Sequence, residues 1–368
     1  MDNQKNTQNT QNTKNTKNTK NTPLQKPNKN LTVDRLNILL CLIVVFIHSF
    51  GGAVSRMNQN TAVYIASYSV LRCCAFVVQG FFFLSALKFA IGYKNRAFNY
   101  VQFLKKRFSK ILIPYIITVV IYYICFYFMH YFNKFSIFDM LKYMVNGRIS
   151  APFYFVIALI GFYLLMPFWI FAVKKINKYV LFGSSVIVFA VWNKFFAPYI
   201  DFNDVIFVSY VPYWCLGLAL GANYKKFLNF MSKKYVLPVS AVLFFIMCYF
   251  DGYFFYIMLN AGKTGFYNHM IHLVFCISAI MFLWSVFTKF EHKPLNNLSG
   301  AINSQSYNIY LIHCLLLAFF DFFFNILSVH FTAFSALRIS VYATLRVFGT
   351  YAVICLLALG VTKIKIRN

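Results

Sequence analysis

Apolar runs long enough to cross a bilayer alternate with short polar loops through most of this chain. A membrane helix needs about 17–25 predominantly apolar residues. Ten windows approach or meet that length, at 36–53, 65–87, 111–132, 153–173, 179–197, 205–222, 235–250, 267–288, 303–325 and 340–362. The windows at 179–197 and 235–250 carry the weakest signal. The pattern predicts an all-α integral membrane protein of about ten transmembrane helices. The first 33 residues are different: 5–22 is an Asn/Thr/Lys tract without the apolar residues needed to offset ordering entropy. Residues 1–33 are therefore expected to be a disordered low-complexity tail, and 34–368 a single membrane domain. The tail has no apolar signal core, so the first helix is expected to direct insertion.

Composition agrees with that reading. Charged residues make up 12% of the chain, where a soluble domain carries about 25%, and mean hydropathy is +0.62. A net charge of +27 would suggest nucleic acid if it were clustered on a soluble face. Its distribution points elsewhere. With a cytoplasmic N-terminus, 26 of the 35 Lys and Arg fall in segments left inside, at 5–35, 88–110, 174–178, 225–234, 289–293 and 363–367. That is the positive-inside bias, and it puts both termini in the cytoplasm, with a basic face resting on anionic lipid. A bacterial cytoplasmic membrane fits the pattern, and no nucleic-acid partner is expected. The nine cysteines show no CxxC or metal-ligand spacing and lie mostly in apolar runs, where a thiol behaves as a small hydrophobe. Neither a disulfide framework nor a metal site is predicted.

Polar residues inside apolar runs are costly, which makes them candidates for function. In LNILLCLIVVFIHSF (36–50), His48 follows Asn37 by eleven residues, close to three helical turns and about 16 Å along the axis. Asn37, Cys41, Val44 and His48 thus share one face. The bland alternative is a histidine hydrogen-bonded within helix packing. A second stripe, Asn303, Ser306, Tyr310 and His313, repeats the spacing in the ninth window. Both helices run outward from the cytoplasm, and the two histidines reach similar depths, so they could line one cavity. A neutral imidazole there can take a proton from a hydroxyl. Asp321 and Arg346 read as a structural ion pair whose charge exchange should partly restore either single loss. Arg72 either snorkels or meets an anion. The stretch FLKKRFSKILIPY (103–115) sets Lys105, Lys106, Arg107 and Lys110 at the inner mouth. These charges read equally as topology signals or as a docking site for phosphate.

Together these residues resemble the acyltransferase 3 family of integral-membrane O-acyltransferases. VDRLNILLCLIVVFIHS (33–49) is similar to its first-helix motif of an acidic residue, a basic residue and a histidine eleven positions after the basic one. GFFFLSALKF (80–89) resembles its Phe-Phe-x-Leu-Ser-Gly element, with Ala86 where Gly is usual. KKRFSKILIPY matches a basic-loop-then-proline element at Arg107, Lys110 and Pro114. PFYFVIALIGFYLLMP (152–167) resembles a Trp-Phe…Tyr-Leu-x-x-Pro element, with Tyr154 in the aromatic place. SYNIYLIH (306–313) matches a late Tyr-Leu-x-His element. The match runs in order over residues 34–313. One departure stands out: the family's basic residue falls on Asn37, while Arg35 is about 140° off the His48 face.

The resemblance implies transfer of an acyl group, commonly acetyl, from cytoplasmic acyl-CoA to a hydroxyl of a cell-surface glycan or polyprenyl-linked sugar. It makes acyl-CoA a donor substrate and implies no bound cofactor. By the same resemblance, Lys106, Arg107 and Lys110 would hold the CoA phosphates, with Asn37 in the donor path. His48 would act as general base or as an acylated nucleophile. Ser85, Tyr154 and His313 would orient substrates or donate to the oxyanion. A flippase for a lipid-linked oligosaccharide and a non-catalytic part of a glycan-assembly complex are the alternatives. The absence of an internal repeat weighs against a carrier.

Overall fold

A computed structural model of the protein describes residues 30–93, 98–254, 265–290, 294–328 and 336–367. The expectation for the tail thus lies outside the described residues up to 29. Every described regular element is helical. Helix α1 (Leu31–Val54) begins five residues before its predicted window because the Asn30 side chain caps it, accepting from the Val33 amide at 3.2 Å. Helices α2 (Ala62–Cys73) and α3 (Val77–Tyr93) form one span with a local break, and α4 (Tyr100–Arg107) runs through a π turn at Phe108–Leu112 into α5 (Ile113–Phe128). The amphipathic α6 (Ile137–Asn146) follows, then α7 (Tyr154–Leu164), α8 (Met166–Lys175), α9 (Lys178–Val191) and α10 (Val211–Ala222). The short α11 (Tyr224–Met231) precedes α12 (Val236–Tyr249), α13 (Phe266–Thr288), α14 (Asn297–Ser328) and α15 (Ala336–Arg367).

Among the described residues, eight stretches are long and apolar enough to cross a membrane, nine if a pair bent by 54° (Ile137–Asn146 with Ala151–Leu164) counts as one span. The chain is therefore a multi-pass membrane protein. The count of about ten full spans is corrected at two windows. Pro167, which lacks an N–H donor, starts α8 and splits the window 153–173 at Leu165. The window 205–222 holds a shorter apolar helix, Phe207–Ala222, in which a tighter turn at Phe207–Tyr210 leads into α10 with Pro212 in its first turn.

Close backbone approach organises the interior. Helix α3 packs along α10, where Gly217 and Gly221, four apart, face Ala86 and Ala90. A Cβ built on Gly217 would lie 2.9 Å from the Ala86 Cβ, and one on Gly221 would lie 2.7 Å from the Ala90 Cβ. Small residues at this spacing let membrane helices approach closely where lipid offers no hydrophobic driving force. Ala86, in the place of a usual glycine, is accommodated because Gly217 opposes it. Helix α1 packs against α14 and α15 through a second apolar cluster that includes Cys41, Val45, Ile309 and Ile354.

Candidate functional site

The two predicted stripes meet. Asn37 on α1 donates through Nδ2 to Asn303 Oδ1 (2.9 Å) and Ser306 Oγ (3.0 Å) on α14, and Cys41 Sγ lies 3.7 Å from the Ser306 carbonyl. Three turns further along, the rings of His48 and His313 stand 5.2 Å apart between centroids. His313 is wholly buried, and its Nδ1 lies 2.7 Å from the Tyr310 carbonyl. A carbonyl only accepts, so Nδ1 carries the proton and Nε2 keeps its lone pair. Cys314 Sγ lies 3.3 Å from that Nε2. The Tyr122 hydroxyl of α5 enters the α14 ladder here, donating to the Leu311 carbonyl (2.9 Å) and accepting from the Leu315 amide (2.7 Å). The turn that carries His313 is thus held from outside its own helix.

His48 is half-buried and opens onto a cavity of about 430 Å³, on whose wall Arg148, Ser150, Asp321 and Arg346 stand among aromatic rings from Phe126 to Tyr143. Arg346 pairs with Asp321 through two contacts of 2.9 Å. It also donates to the His48 carbonyl at 2.6 Å and to the Ser49 carbonyl. Gly52 makes this approach possible, since a Cβ there would fall 2.5 Å from the guanidinium. The expected Asp321–Arg346 pair is therefore present, and it also grips the backbone of the turn that presents His48. Among the described residues, the His48 ring nitrogens take no protein hydrogen-bond partner.

A second cavity of about 290 Å³ lies at the other end of the stripes. Asn37, Ser85, Arg107 and Lys110 line it, as does Lys88, together with Tyr163, Tyr307 and Tyr310. The π turn after Arg107 inserts an extra residue into the helical path and brings Lys110 to the same wall. Such turns recur at functional sites. The Arg107 guanidinium lies over the Phe103 and Tyr163 rings at 5.3 and 5.1 Å. Tyr310 lines this cavity, and its ring is 6.1 Å from His313, so Tyr310, His313 and His48 form a chain of neighbouring rings from one cavity to the other.

Of the predicted residues, His48 and His313 form the pair, and Asn37, Ser85, Arg107 and Lys110 share the basic cavity. Lys106 and Tyr154 line neither cavity. Lys106 is exposed, and Tyr154 stacks near Tyr210 with ring centroids 6.4 Å apart. Sequence reasoning missed Lys88, counted only as a loop charge. Its signal was a lone cation inside the apolar run 77–93. Arg72 meets an internal anion, Asp251, at 3.1 Å. Asp251 also binds His272 at 3.0 Å, and His272 in turn lies 3.1 Å from Gln79. One further grouping was invisible in the sequence: ligand atoms of His48, His313 and Cys314 all lie within 4.8 Å of one another. Imidazole and thiolate are donors that zinc accepts.

Comparison with known proteins gives two kinds of match. A probable poly-beta-1,6-N-acetyl-D-glucosamine export protein of Staphylococcus epidermidis is 23% identical over 312 residues, which cover 79% of this chain and 82% of that protein. The protein of the same name from Staphylococcus aureus strain MSSA476 is 24% identical over 312 residues, covering 77% and 81%. No solved structure matches the chain. The family model described as an acyltransferase domain matches residues 30–361, from the cap of α1 to the last turns of α15. The chain therefore belongs to the acyltransferase 3 family.

Proposed function

We propose that this protein is a membrane O-acyltransferase that moves an acyl group, acetyl in the first instance, from cytoplasmic acyl-CoA to a hydroxyl of a cell-surface or polyprenyl-linked glycan. The observation that carries the reading is the placement of the His48–His313 pair between a cation-lined cavity and a cavity rich in aromatic rings. In this reading the Lys88–Lys110 end faces the cytoplasm, as the positive-inside bias of the basic segments favours.

In this reading Arg107 and Lys110 hold the CoA phosphates, with Lys106 at the rim. The pantetheine arm runs along Ser85 and Asn37 toward the histidines, a path of about 16 Å along α1. The acceptor sugar enters the opposite cavity, where aromatic rings offer faces for a pyranose. His48 takes the proton of the acceptor hydroxyl as its oxygen attacks the thioester carbonyl. The tetrahedral oxyanion forms in the positive potential of Arg346. Its collapse breaks the C–S bond, and the thiolate recovers the proton from His48. His313, whose Nδ1–H is committed to the Tyr310 carbonyl, packs its ring beside His48 and does not donate to the oxyanion. Tyr154, which lines neither cavity and stacks near Tyr210, has no step in this reading.

The relatives' names favour a second reading, export of a β-1,6-linked N-acetylglucosamine polymer. CoA release from acetyl-CoA by protein in nanodiscs, with an N-acetylglucosamine oligomer or a crude envelope glycan as acceptor, separates the two. Wild type should release CoA and His48→Ala should lose about a hundredfold or more. Absence of release across several acyl-CoAs, with labelled oligomer crossing proteoliposome membranes, would replace acyl transfer with export.

A further inference from the structure

Lys88 is the one charge in the helix VVQGFFFLSALKFAIGY, and a cation inside an apolar run carries a desolvation cost unless something there uses it. Like Lys106 and Lys110 it is exposed, but with Lys110 it lines the basic cavity. Its Nζ lies 3.3 Å from Asn37 Oδ1. Both donors of that amide are spent across the interface, on Asn303 and Ser306, so the carbonyl oxygen is the atom left to face Lys88. The amide therefore has one orientation, and it aims the ammonium into the basic cavity. A neutral amide satisfies only one of the three ammonium protons. Among the described residues no carboxylate forms an ion pair with Lys88, Arg107 or Lys110, although Asp34, one turn before Asn37 on α1, acts on Lys88 electrostatically. Three cations on one wall without a paired anion describe a site for a multiply charged anion.

We infer that Lys88 is a donor-binding residue that grips a diphosphate group together with Arg107 and Lys110, and that Asn37 is its positioning residue. This rests on the acyl-CoA reading. It also answers the departure in the first helix: the cation absent from position 37 is supplied from α3, across a hydrogen bond to the residue that replaced it.

The test is CoA binding by titration calorimetry on the full chain in nanodiscs of neutral lipid. Lys88→Met should weaken binding about tenfold or more, the loss expected for a charge-assisted contact. Asn37→Lys combined with Lys88→Asn returns one cation to the cavity and should recover most of that loss. A measurement on wild type needs no variant to fold: CoA should protect Lys88, and not Lys106, from an amine-acylating reagent read by mass spectrometry. Equal modification of Lys88 with and without CoA, or wild-type affinity in Lys88→Met, would overturn the inference while leaving the donor reading intact. If wild type binds no CoA, both fall. Protection of Lys88 by phosphatidylglycerol alone, with none from CoA, would assign the cations to a lipid headgroup and overturn the donor role.

Discussion

At the residue scale, His48 is set by two different constraints. Its ring faces a cavity, while its carbonyl is held by Arg346. Arg346→Gln would remove the ion pair from Asp321, leaving it the Tyr342 hydroxyl, and would take the guanidinium donor from two backbone carbonyls. We expect a loss of about 3–5 kcal/mol, the scale for breaking a buried pair, read as lower folded yield and midpoint temperature. Exchanging the two charges, which the sequence alone suggested as a rescue, should fail. It would set a carboxylate against the His48 and Ser49 carbonyls. Gly52→Ala should cost about 1–3 kcal/mol by crowding the same guanidinium. The grouping of His48, His313 and Cys314 adds a chemical check. If His48 works as a free base, CoA release should survive a strong zinc chelator, whereas loss restored by zinc would make the trio a metal centre.

Between elements, small residues and internal polar bonds do the joining. Gly217→Val or Gly221→Val should push α10 off α3 and lower the midpoint temperature sharply. Gly183→Ala and Gly360→Ala, where an added Cβ meets nothing within 4 Å, should be close to neutral. A second junction ties α2 and α3 to α13 and to the π turn at Phe250–Phe254, which carries Asp251. Asp251 is 1% exposed, so Arg72→Met should destabilise more than Asp251→Asn, which removes the buried charge itself. Thermal unfolding in one detergent compares the two. This assigns Arg72 a structural role, one the sequence had left open between snorkelling and substrate.

For the molecule as a whole, sidedness decides which substrate reaches which cavity. The positive-inside bias predicts that a periplasm-active reporter fused within 132–136 is active, while one fused within 223–235 is silent. The opposite pattern would place the basic cavity outside, away from cytoplasmic acyl-CoA. Each terminus, reported by fluorescent-protein fusion, should read as cytoplasmic.

Much was legible in the chain because membrane helices obey local rules. Apolar length announced nearly every span, and the positive-inside bias suggested an orientation. Helical spacing put Asn37 with His48, and Ser306 with His313, on single faces before any contact was known. What remained hidden depends on residues far apart in sequence. Nothing local shows that Lys88 reaches Asn37, that Asp251 meets Arg72, or that Arg346 binds the backbone beside His48. Those pairings follow from helix rotation and close approach, which glycines such as Gly52 and Gly217 permit from across an interface. Periodicity gives each helix its faces. The tertiary structure alone decides which faces meet, because in lipid helix pairing depends on packing and internal polar bonds more than on burial of apolar surface.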